Sequence, residues 1–430
     1  MASERDSAIA QAPTLDPAEL VVVGCRLNGA SDLLVDLVVR NGVIAAIGAA
    51  AAEGVAAAGR IHAHGGLVTA PFAEPHSHPD KVYSRERIAK LGLPISGPRE
   101  VFMQRQRDLK AAFTLDDVTD RASRFLRACA LEGVGVVAGQ ADIDSITGLV
   151  SVKGVLAARE ACADVIDMVV TAFPQEGLVG DTRAYELVAE ALGMGADRVG
   201  GWPNNEADDA ARLTHLRQVF DLAERFGVPI DINIDYFADP TERLLEPLAE
   251  LTIAHGMQSL VNANHVGALE TYSNADAARV IEKVAAAGIS ITVCPSNLQG
   301  TYPFRGISRP NELLDAGVNV TIGTGNHEDN WESLGTLDPL ERARFAWHAL
   351  PLAGRAGEGI DDAWRMVTSS AYVAIGRQPA ALAVGSDASF VVLSAPDRLH
   401  ALRNEAGSRF NVRHGAVVAS RHVTTELVYS

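Results

Sequence analysis

Two pairs of histidines, each with a single residue between its members, are the clearest chemical feature of the sequence. The first pair is His62 and His64, and the second is His76 and His78. Side chains at positions i and i+2 of a β-strand point to the same side, so either pair could offer two imidazole ligands to one metal ion. A pair of this kind on an exposed strand is more often only a solvated face, so the surrounding sequence has to distinguish the two.

The second pair lies where metal chemistry would be expected. His76 and His78 follow a strand-like run that begins at Pro71, and the pattern from there on predicts a barrel whose first strand ends at these histidines. Barrel enzymes place their catalytic groups at the carboxyl ends of the strands. His62 and His64 instead precede a Gly-Gly turn in a β-rich segment, and we predict only a structural role for them.

The elements that would position these groups are short apolar runs that alternate with longer helical stretches after Pro71. Such alternation predicts a parallel sheet, and about eight units over roughly 300 residues favour a closed (β/α)8 barrel. The strands predicted after the first are residues 134–138, 168–173, 198–201, 230–234, 260–263, 289–294 and 318–323. The predicted helices include residues 208–226, 238–255, 275–287 and 309–316.

Both ends of the chain instead carry short β-like runs separated by turns. We predict that residues 19–69 and 378–430 form one β-sandwich outside a barrel that spans residues 70–377. Residues 1–18 are predicted to be a disordered tail. The predicted fold class is therefore α/β, a TIM-like (β/α)8 barrel with a small β-sandwich built from both termini.

The charge and the cysteine content limit the classes of partner. The net charge is −17, from 37 basic and 54 acidic residues, which argues against nucleic acid or an anionic membrane as a partner. The first 20 residues lack the apolar core of a signal peptide, and no apolar run has the length of a membrane span. Four scattered cysteines indicate neither a disulfide framework nor a zinc knuckle. We expect a cytoplasmic homo-oligomer that binds a small molecule.

Several segments of the chain resemble those of a known enzyme family. Residues 71–80 read Pro-Phe-Ala-Glu-Pro-His-Ser-His-Pro-Asp, and residues 172–177 read Ala-Phe-Pro-Gln-Glu-Gly. Together with other segments in the same order, they resemble the cytosine deaminases of the amidohydrolase superfamily along essentially the whole chain. The other segments are residues 63–68, 195–200, 230–232, 264–265, 298–300, 302–303 and 305–309, Trp331, and residues 334–336 and 385–388.

The resemblance implies a distorted (β/α)8 barrel with a β-sandwich made by both termini. It also implies one divalent metal, often iron or zinc, held by a His-x-His on strand one, a His on strand five and an Asp on strand eight. A Glu three residues after the strand-five His would carry protons, and a His on strand six would assist at the metal. Metal ions lower the pKa of water, and a carboxyl group moves the protons.

This sequence departs from that pattern at the positions of the metal ligands and of the proton-carrying residue. His265 occupies the strand-six position, but Asn233 occupies the strand-five ligand position and Tyr236 the position of the proton-carrying Glu. The strand-eight Asp position falls on Gly325, which Asn326 follows. Neutral amides are poor ligands for zinc or iron, and the ordinary pKa of tyrosine is about 10. The cofactor prediction is therefore one divalent metal, zinc or iron, on His76 and His78, with a metal-free protein as the alternative.

Other residues could supply the missing acid and base or bind the substrate. A shifted loop after strand eight could bring one of its three titratable residues inward, and strand five still carries a carboxylate. The candidate catalytic residues are thus His265, Tyr236, Asp235, His327, Glu328 and Asp329. The candidate substrate-binding residues are Gln175, Trp331, Asn233 and Asn326. We interpret the remaining histidines as surface residues: His215, His255, His348, His400, His414 and His422.

Three functions are compatible with this pattern. The first is hydrolysis of a C–N bond in a small cyclic nitrogen compound other than cytosine, by a deaminase or a cyclic amide or amidine hydrolase. The second is a metal-independent isomerase, cyclase, dehydratase or lyase that reuses the pocket, with the six catalytic candidates as its acids and bases. The third is a non-catalytic binding protein. We favour the hydrolase, and metal analysis distinguishes the first function from the second.

Overall fold

The computed structural model describes residues 20–28, 33–94, 99–295, 307–405, 407–424 and 426–428. The predicted tail and the resembling segments at residues 298–300, 302–303 and 305–306 lie outside these ranges. Within them, no helix is both long and apolar enough to cross a membrane.

Strands in the described ranges form two sheets, one from the middle of the chain and one from its ends. They are β1 (Leu20–Leu27), β2 (Val35–Arg40), β3 (Val43–Gly48), β4 (Gly59–His62), β5 (Leu67–Thr69), β6 (Phe72–Ser77), β7 (Val134–Asp142), β8 (Asp167–Phe173), β9 (Arg198–Val199), β10 (Ile230–Ile234), β11 (Val261–His265), β12 (Ser290–Val293), β13 (Val320–Ile322), β14 (Phe390–Leu393), β15 (Arg409–Arg413) and β16 (Ala416–Arg421).

The middle sheet contains β6 to β13 in sequential, parallel order. A parallel bridge between Ser77 and Gly325 brings the first strand against the segment that follows the last. The backbone N–H of Gly325 donates to the carbonyl of His76 at 2.8 Å across this junction. The sheet is therefore a closed eight-stranded barrel, and all its strands present their carboxyl ends at one rim.

Helices connect and surround the barrel strands. They are α1 (Arg85–Lys90), α2 (Arg99–Ala111), α3 (Leu115–Leu131), α4 (Val150–Ala161), α5 (Ala184–Gly193), α6 (Asp209–Phe226), α7 (Leu245–Ala254), α8 (Asn274–Ala286), α9 (Pro310–Asp315), α10 (Pro339–Ala349), α11 (Ile360–Met366), α12 (Ser369–Ile375) and α13 (Arg398–His400).

The helix predicted at residues 238–255 is observed only from Leu245 onward, so its predicted start is wrong. The carboxylate of Asp235 accepts from the backbone N–H groups of Leu244 and Leu245, which fixes the first turn there. Asp235 therefore supplies acceptors for the first N–H groups of a helix, which have no acceptor within the helix itself. Pro240 lies in the irregular segment before that turn.

Strand β10 alternates isoleucines with polar residues, and the two sets have different surroundings. Ile230, Ile232 and Ile234 join the main apolar core with residues of the surrounding helices. Between them, the buried carboxylate of Asp231 accepts from Asn262 and Asn264 of β11 at 2.9 and 2.8 Å. Because side chains alternate across a strand, the polar residues form a hydrogen-bonded column inside the barrel that leads up to the rim.

The two chain ends share the second sheet. Strand β5 pairs antiparallel with β14, which gives the order β16-β15-β14-β5-β1-β2-β3, with β4 beside β1. A separate apolar cluster that includes Leu20, Ile44 and Phe390 forms the core of this unit. The predicted fold class, a barrel with a β unit built from both termini, is confirmed. The exact domain bounds at residues 69 and 378 stay predictions.

Candidate active site

A small cavity that opens to solvent lies at the carboxyl-terminal rim of the barrel, with about 290 Å³ of empty space including its open mouth. Most of its lining comes from residues that the sequence had marked as candidates. The lining residues are His78, Phe173, Gln175, Trp202, Asn233, Tyr236, His265, Asn326 and Trp331. The barrel thus brings together residues that are up to about 250 positions apart, as expected for a site built from the ends of several strands.

A row of aromatic rings crosses the site. The ring of His76 lies 5.1 Å, centroid to centroid, from the rings of both His78 and His265. The ring of His265 lies 4.3 Å from that of Tyr236. Trp202 stands 6.3 Å from Trp331 and nearly perpendicular to it. The cavity is therefore walled largely by flat side chains, which suit a flat ligand.

The strand-six histidine owes its position to an unusual backbone conformation. In β11 the side chains of Asn262 and Asn264 point into the barrel, so by alternation His265 would point outward. Its φ of 73° and that of Val266, 52°, are left-handed, and they turn the ring into the cavity. The hydroxyl of Ser308 donates to the His265 carbonyl and secures this turn. Backbone strain of this kind is typical of functional positions.

His78 differs from His76 in its hydrogen-bond partner. Its Nδ1 lies 3.3 Å from the ammonium of Lys81. An ammonium group only donates, so Nδ1 accepts and the ring proton is on Nε2. Lys81 is itself fully buried and lies 2.5 Å from a carboxylate oxygen of Asp142. Burial raises the pKa of Asp142 to about 7, although Lys81 and Lys110 favour its charged form. His78 therefore presents an N–H donor to the cavity.

The amide of Asn233 is oriented by the polar column below it. Burial opposes ionisation of Asp231, but Arg198 and the asparagine donors outweigh this and lower its pKa. A carboxylate only accepts, so Asn264 must turn its amide nitrogen toward Asp231, at 2.8 Å. The same nitrogen donates to Oδ1 of Asn233 at 3.1 Å. Asn233 consequently presents its NH₂ group, a donor, to the cavity.

Asn326 has the opposite orientation. Its amide nitrogen donates to the carboxylate of Asp329 at 2.7 Å, which leaves its carbonyl oxygen for the cavity. The same carboxylate accepts from the backbone N–H of Trp331 at 2.7 Å. Burial raises the pKa of Asp329 to about 6, although these hydrogen bonds favour the charged form. Asp329 therefore holds an acceptor and an aromatic wall in place from outside the cavity.

Gln175 and Trp202 each aim a buried donor into the cavity. Gln175 Nε2 and Trp202 Nε1 have no hydrogen-bond partner among the described residues. The loop that carries Gln175 is held by Glu206, whose carboxylate accepts from three consecutive backbone N–H groups at residues 178–180. His215 lies 2.8 Å from the same carboxylate and is fully buried. Interpreting His215 as a surface residue was therefore wrong.

Comparisons with known proteins identify the family. A family model described as the amidohydrolase family matches residues 98–419. The chain belongs to the amidohydrolase family. It is 30% identical over 399 residues to a pterin deaminase of Rhizobium rhizogenes, which covers 89% of this chain and 87% of that protein.

Two further relatives also match over most of the chain. The chain is 25% identical over 371 residues to an N-isopropylammelide isopropyl amidohydrolase of Pseudomonas sp. strain ADP, covering 84% of this chain and 88% of that protein. The crystal structure of 5-methylcytosine deaminase from Klebsiella pneumoniae liganded with 5-fluorocytosine has a TM-score of 0.85 and 30% identity. It covers 95% of this chain and 99% of that one. The predicted family and the prediction of a hydrolase-type enzyme are confirmed at this level.

Four catalytic candidates of this amidohydrolase do not line the cavity. The carboxylate of Asp235 accepts hydrogen bonds from the backbone at the start of α7. The carboxylate of Asp329 accepts from the side chain of Asn326 and the backbone of Trp331. The Nδ1–H of His327 donates to the carbonyl of Gly335 at 2.6 Å, and burial lowers the pKa of His327. Glu328 is exposed. A shifted loop therefore does not bring an acid or base from this segment into the site.

Sequence reasoning missed Phe173, which lines the cavity, and three further residues at the site. Lys81 directly follows the His-Ser-His-Pro-Asp segment, Trp202 follows the fourth barrel strand, and Cys294 ends the predicted seventh strand. Each position alone pointed to the rim, but a single lysine, tryptophan or cysteine is an ordinary residue there without knowledge of its neighbours. Cys294 lies close to two of the rim histidines, His76 and His265.

Among the described residues, two groups of potential metal ligands lie at the rim. In one, ligand atoms of His76, His265 and Cys294 lie within 4.8 Å of one another, and all three residues are buried. Two imidazoles and a thiolate with an open fourth position form a sound zinc donor set. The other group is His78 with Asp80 and Asp142. The ammonium of Lys81 lies 3.3, 4.0 and 2.5 Å from these three and already supplies a cation there.

Proposed function

We propose that this enzyme hydrolyses a C–N bond of a small, flat nitrogen heterocycle other than cytosine. The observation that carries the proposal is the cavity itself, whose aromatic walls enclose polar groups of fixed and mixed polarity. Asn233 offers a donor and Asn326 an acceptor, each set by a buried carboxylate. The edges of pterins, pyrimidines and triazines present donors and acceptors side by side, and a buried polar group left unpaired penalises a wrong substrate.

The relatives support the same substrate class. The curated relatives are named for a pterin and for N-isopropylammelide, and the crystal structure for 5-methylcytosine. These are all small nitrogen heterocycles. Cytosine itself fits less well, because the two positions that the resemblance assigns to a carboxylate ligand and a carboxylate proton carrier hold Gly325 and Tyr236. Loss of a positioned acid or base costs roughly 10²–10⁴ in rate.

The residues of the cavity divide the work as follows. Gln175, Asn233 and His78 donate to the heterocycle, and Asn326 accepts from it. Trp202 and Trp331 exclude water from its faces. Tyr236 packs against His265 and can donate its phenolic proton to a leaving amine, whereas a neutral phenol is a poor base.

A divalent metal fits the donor set of His76, His265 and Cys294. When bound, such an ion supplies Lewis acidity that makes water a usable nucleophile near neutral pH. The chain's own part is to hold the reacting carbon of the heterocycle over this group of ligands, which the amides on β10 and after β13 do by orienting its edge.

Ammonia or amine release from a panel of pterins, pyrimidines and triazines tests the proposal, with zinc or iron supplied. We expect turnover of at least one heterocycle and a much slower reaction with cytosine. Trp331→Ala should raise KM or abolish turnover, because a wall of the cavity is lost. Leu334→Ala is the matched control, since Leu334 lies three residues further on and is 88% exposed. Tight binding of heterocycles without release of any amine would instead support metal-independent chemistry.

A further inference from the structure

We propose that Cys294 is a metal ligand and that the metal centre of this enzyme is formed by His76, His265 and Cys294, without His78. This inference deepens the proposed function, on which it rests for the use of the metal. It replaces the ligand set that the sequence resemblance implies with one that spans barrel strands one, six and seven.

Alternation along β12 places Cys294 inside the barrel. The hydroxyl of Thr292 donates to Oδ1 of Asn262 at 2.9 Å within the polar column, so Thr292 faces the barrel axis. Cys294 is two residues further on and faces the same way. β12 pairs with β11 in register up to Asn264 and Thr292, so Cys294 lies at the rim one position beyond the level of the residue that follows Asn264. That residue is His265, whose left-handed backbone turns its ring inward.

His76 is the third member of the group and comes from β6, the first strand of the barrel. It is fully buried at the end of β6, and its ring lies 5.1 Å from that of His265. Gly323, which directly follows the eighth barrel strand, leaves room for His76 because glycine has no side chain. A Cβ at Gly323 would lie 2.9 Å from the Cβ of His76 and 3.0 Å from its carbonyl oxygen. The three ligand atoms lie within 4.8 Å of one another, close enough for a single ion to reach all of them after small side-chain rotations.

The ligand positions implied by the resemblance are unsuitable on this chain for separate reasons. Asn233 turns its NH₂ group toward the cavity, and an amide nitrogen is not a metal ligand. Gly325 has no side chain. His78 carries its ring proton on Nε2, because Lys81 donates to Nδ1, whereas ligating histidines donate their second N–H to an acceptor. Cys294 supplies the anionic ligand that would otherwise be missing.

The thiol of Cys294 must lose its proton to bind. On binding, the S–H proton passes to solvent and the sulfur lone pair forms the metal bond, so one proton is released per ion bound through this residue. Thiolate and imidazole together favour zinc over magnesium, calcium or manganese. The inferred cofactor is therefore a zinc-like ion.

Cobalt(II) is the probe that tests the ligand set without any substrate. A cobalt ion bound by a thiolate shows a sulfur-to-metal charge-transfer band in the near ultraviolet, and we expect this band from the wild-type protein at one cobalt per chain. Cys294→Ser should remove the band and weaken binding by at least roughly tenfold. Cys162→Ala is the matched control, because Cys162 is also fully buried but lies at the end of α4; its band should be unchanged.

His78→Gln distinguishes the two ligand sets. We expect this variant to keep both the band and the one-to-one stoichiometry. Cobalt bound without a thiolate band, a band that survives Cys294→Ser, no binding at all, or loss of cobalt from a folded His78→Gln protein would each overturn the inference. Circular dichroism of each variant separates loss of ligation from loss of fold. If the charge-transfer band is observed but no heterocycle is hydrolysed, only the proposed function is contradicted. If hydrolysis depends on metal but the band is absent, only the assignment of Cys294 as a ligand is contradicted.

Discussion

Buried carboxylates decide which polar atom Asn233 and Asn326 show to a ligand. Asp231 sets Asn233 through Asn264, and Asp329 sets Asn326 directly. In both cases an acceptor that cannot donate fixes one end of a side chain that can do both. The donor of Asn233 and the acceptor of Asn326 are thus determined by residues behind the cavity wall.

Asp329→Asn should reverse the polarity of Asn326. An asparagine at 329 can still accept from the backbone N–H of Trp331 through its oxygen, but it then turns an NH₂ group toward the amide nitrogen of Asn326. Asn326 should flip and present its NH₂ to the cavity. Steady-state kinetics should show KM raised by about tenfold or more, the cost of one unpaired buried hydrogen bond. Asp329→Ala, which imposes no flip, is the control for loss of the carboxylate alone, and equal KM values for the two variants would contradict the account.

The same switch should occur with pH in the wild-type protein. Below about pH 6 the protonated Asp329 can donate to Asn326, so KM should rise as the pH falls through this value, and Asp329→Asn should lack this dependence. The folded-state pKa is raised, so this residue's contribution to stability is greatest below about pH 4. It decreases by roughly 3 kcal/mol as the pH rises through 6. A flat KM profile between pH 5 and 8 in the wild type would refute the switch.

At the scale of elements, the loop after β13 depends on one close approach. A Cβ at Gly335 would lie 2.2 Å from the backbone oxygen of Asn326 and 3.2 Å from the Cα of His327. Real Cβ atoms do not approach backbone atoms so closely. The segment around Gly335 must therefore move away from the segment around Asn326 if a side chain is added. Asn326, which this loop carries into the cavity, would move with it.

Gly335→Ala should therefore weaken substrate binding and destabilise the fold by about 1–3 kcal/mol. Gly354→Ala is the matched control, since nothing lies within 4 Å of a Cβ there, and it should change the free energy of unfolding by less than about 0.5 kcal/mol. Thermal melts and KM values of the two variants provide the comparison. A Gly335→Ala protein indistinguishable from the control would mean that the loop tolerates the insertion and does not position Asn326.

The elements show where sequence reasoning succeeded and where it could not. Short apolar runs predicted β10 to β12 well, and the resemblance to the cytosine deaminases assigned Asn233 to the strand-five ligand position. The side chain of His265 could not be placed by alternation, because its left-handed φ breaks the pattern. The cluster of Cys294 with His76 depends on barrel closure between β6 and β13. No local pattern contains such a contact, which joins residues about 220 positions apart.

At the scale of the whole molecule, a buried arginine joins the sheet of the chain ends to the barrel. Arg409 of β15 is 3% exposed and lies 2.8 Å from the carboxylate of Asp338, which caps α10. It also lies 3.1 Å from the carboxylate of Glu132, at the end of α3. Asn411 of the same strand donates to the carbonyls of Ala130 and Val134. The two units therefore share hydrogen bonds that neither can complete alone.

Arg409→Met should destabilise the whole protein and not the terminal sheet alone. The change leaves Asp338 and Glu132 with a lost partner at a largely buried interface, which should cost about 3 kcal/mol. Arg421→Met is the matched control. Arg421 also pairs with Glu132, at 2.9 Å, but its side chain is 43% exposed, and an exposed pair contributes less than about 1 kcal/mol. Calorimetry should show one cooperative transition for the wild type and both variants, with a clearly lower midpoint only for Arg409→Met. Two separate transitions, or equal midpoints for the two variants, would show that the terminal sheet does not stabilise the barrel that carries the site.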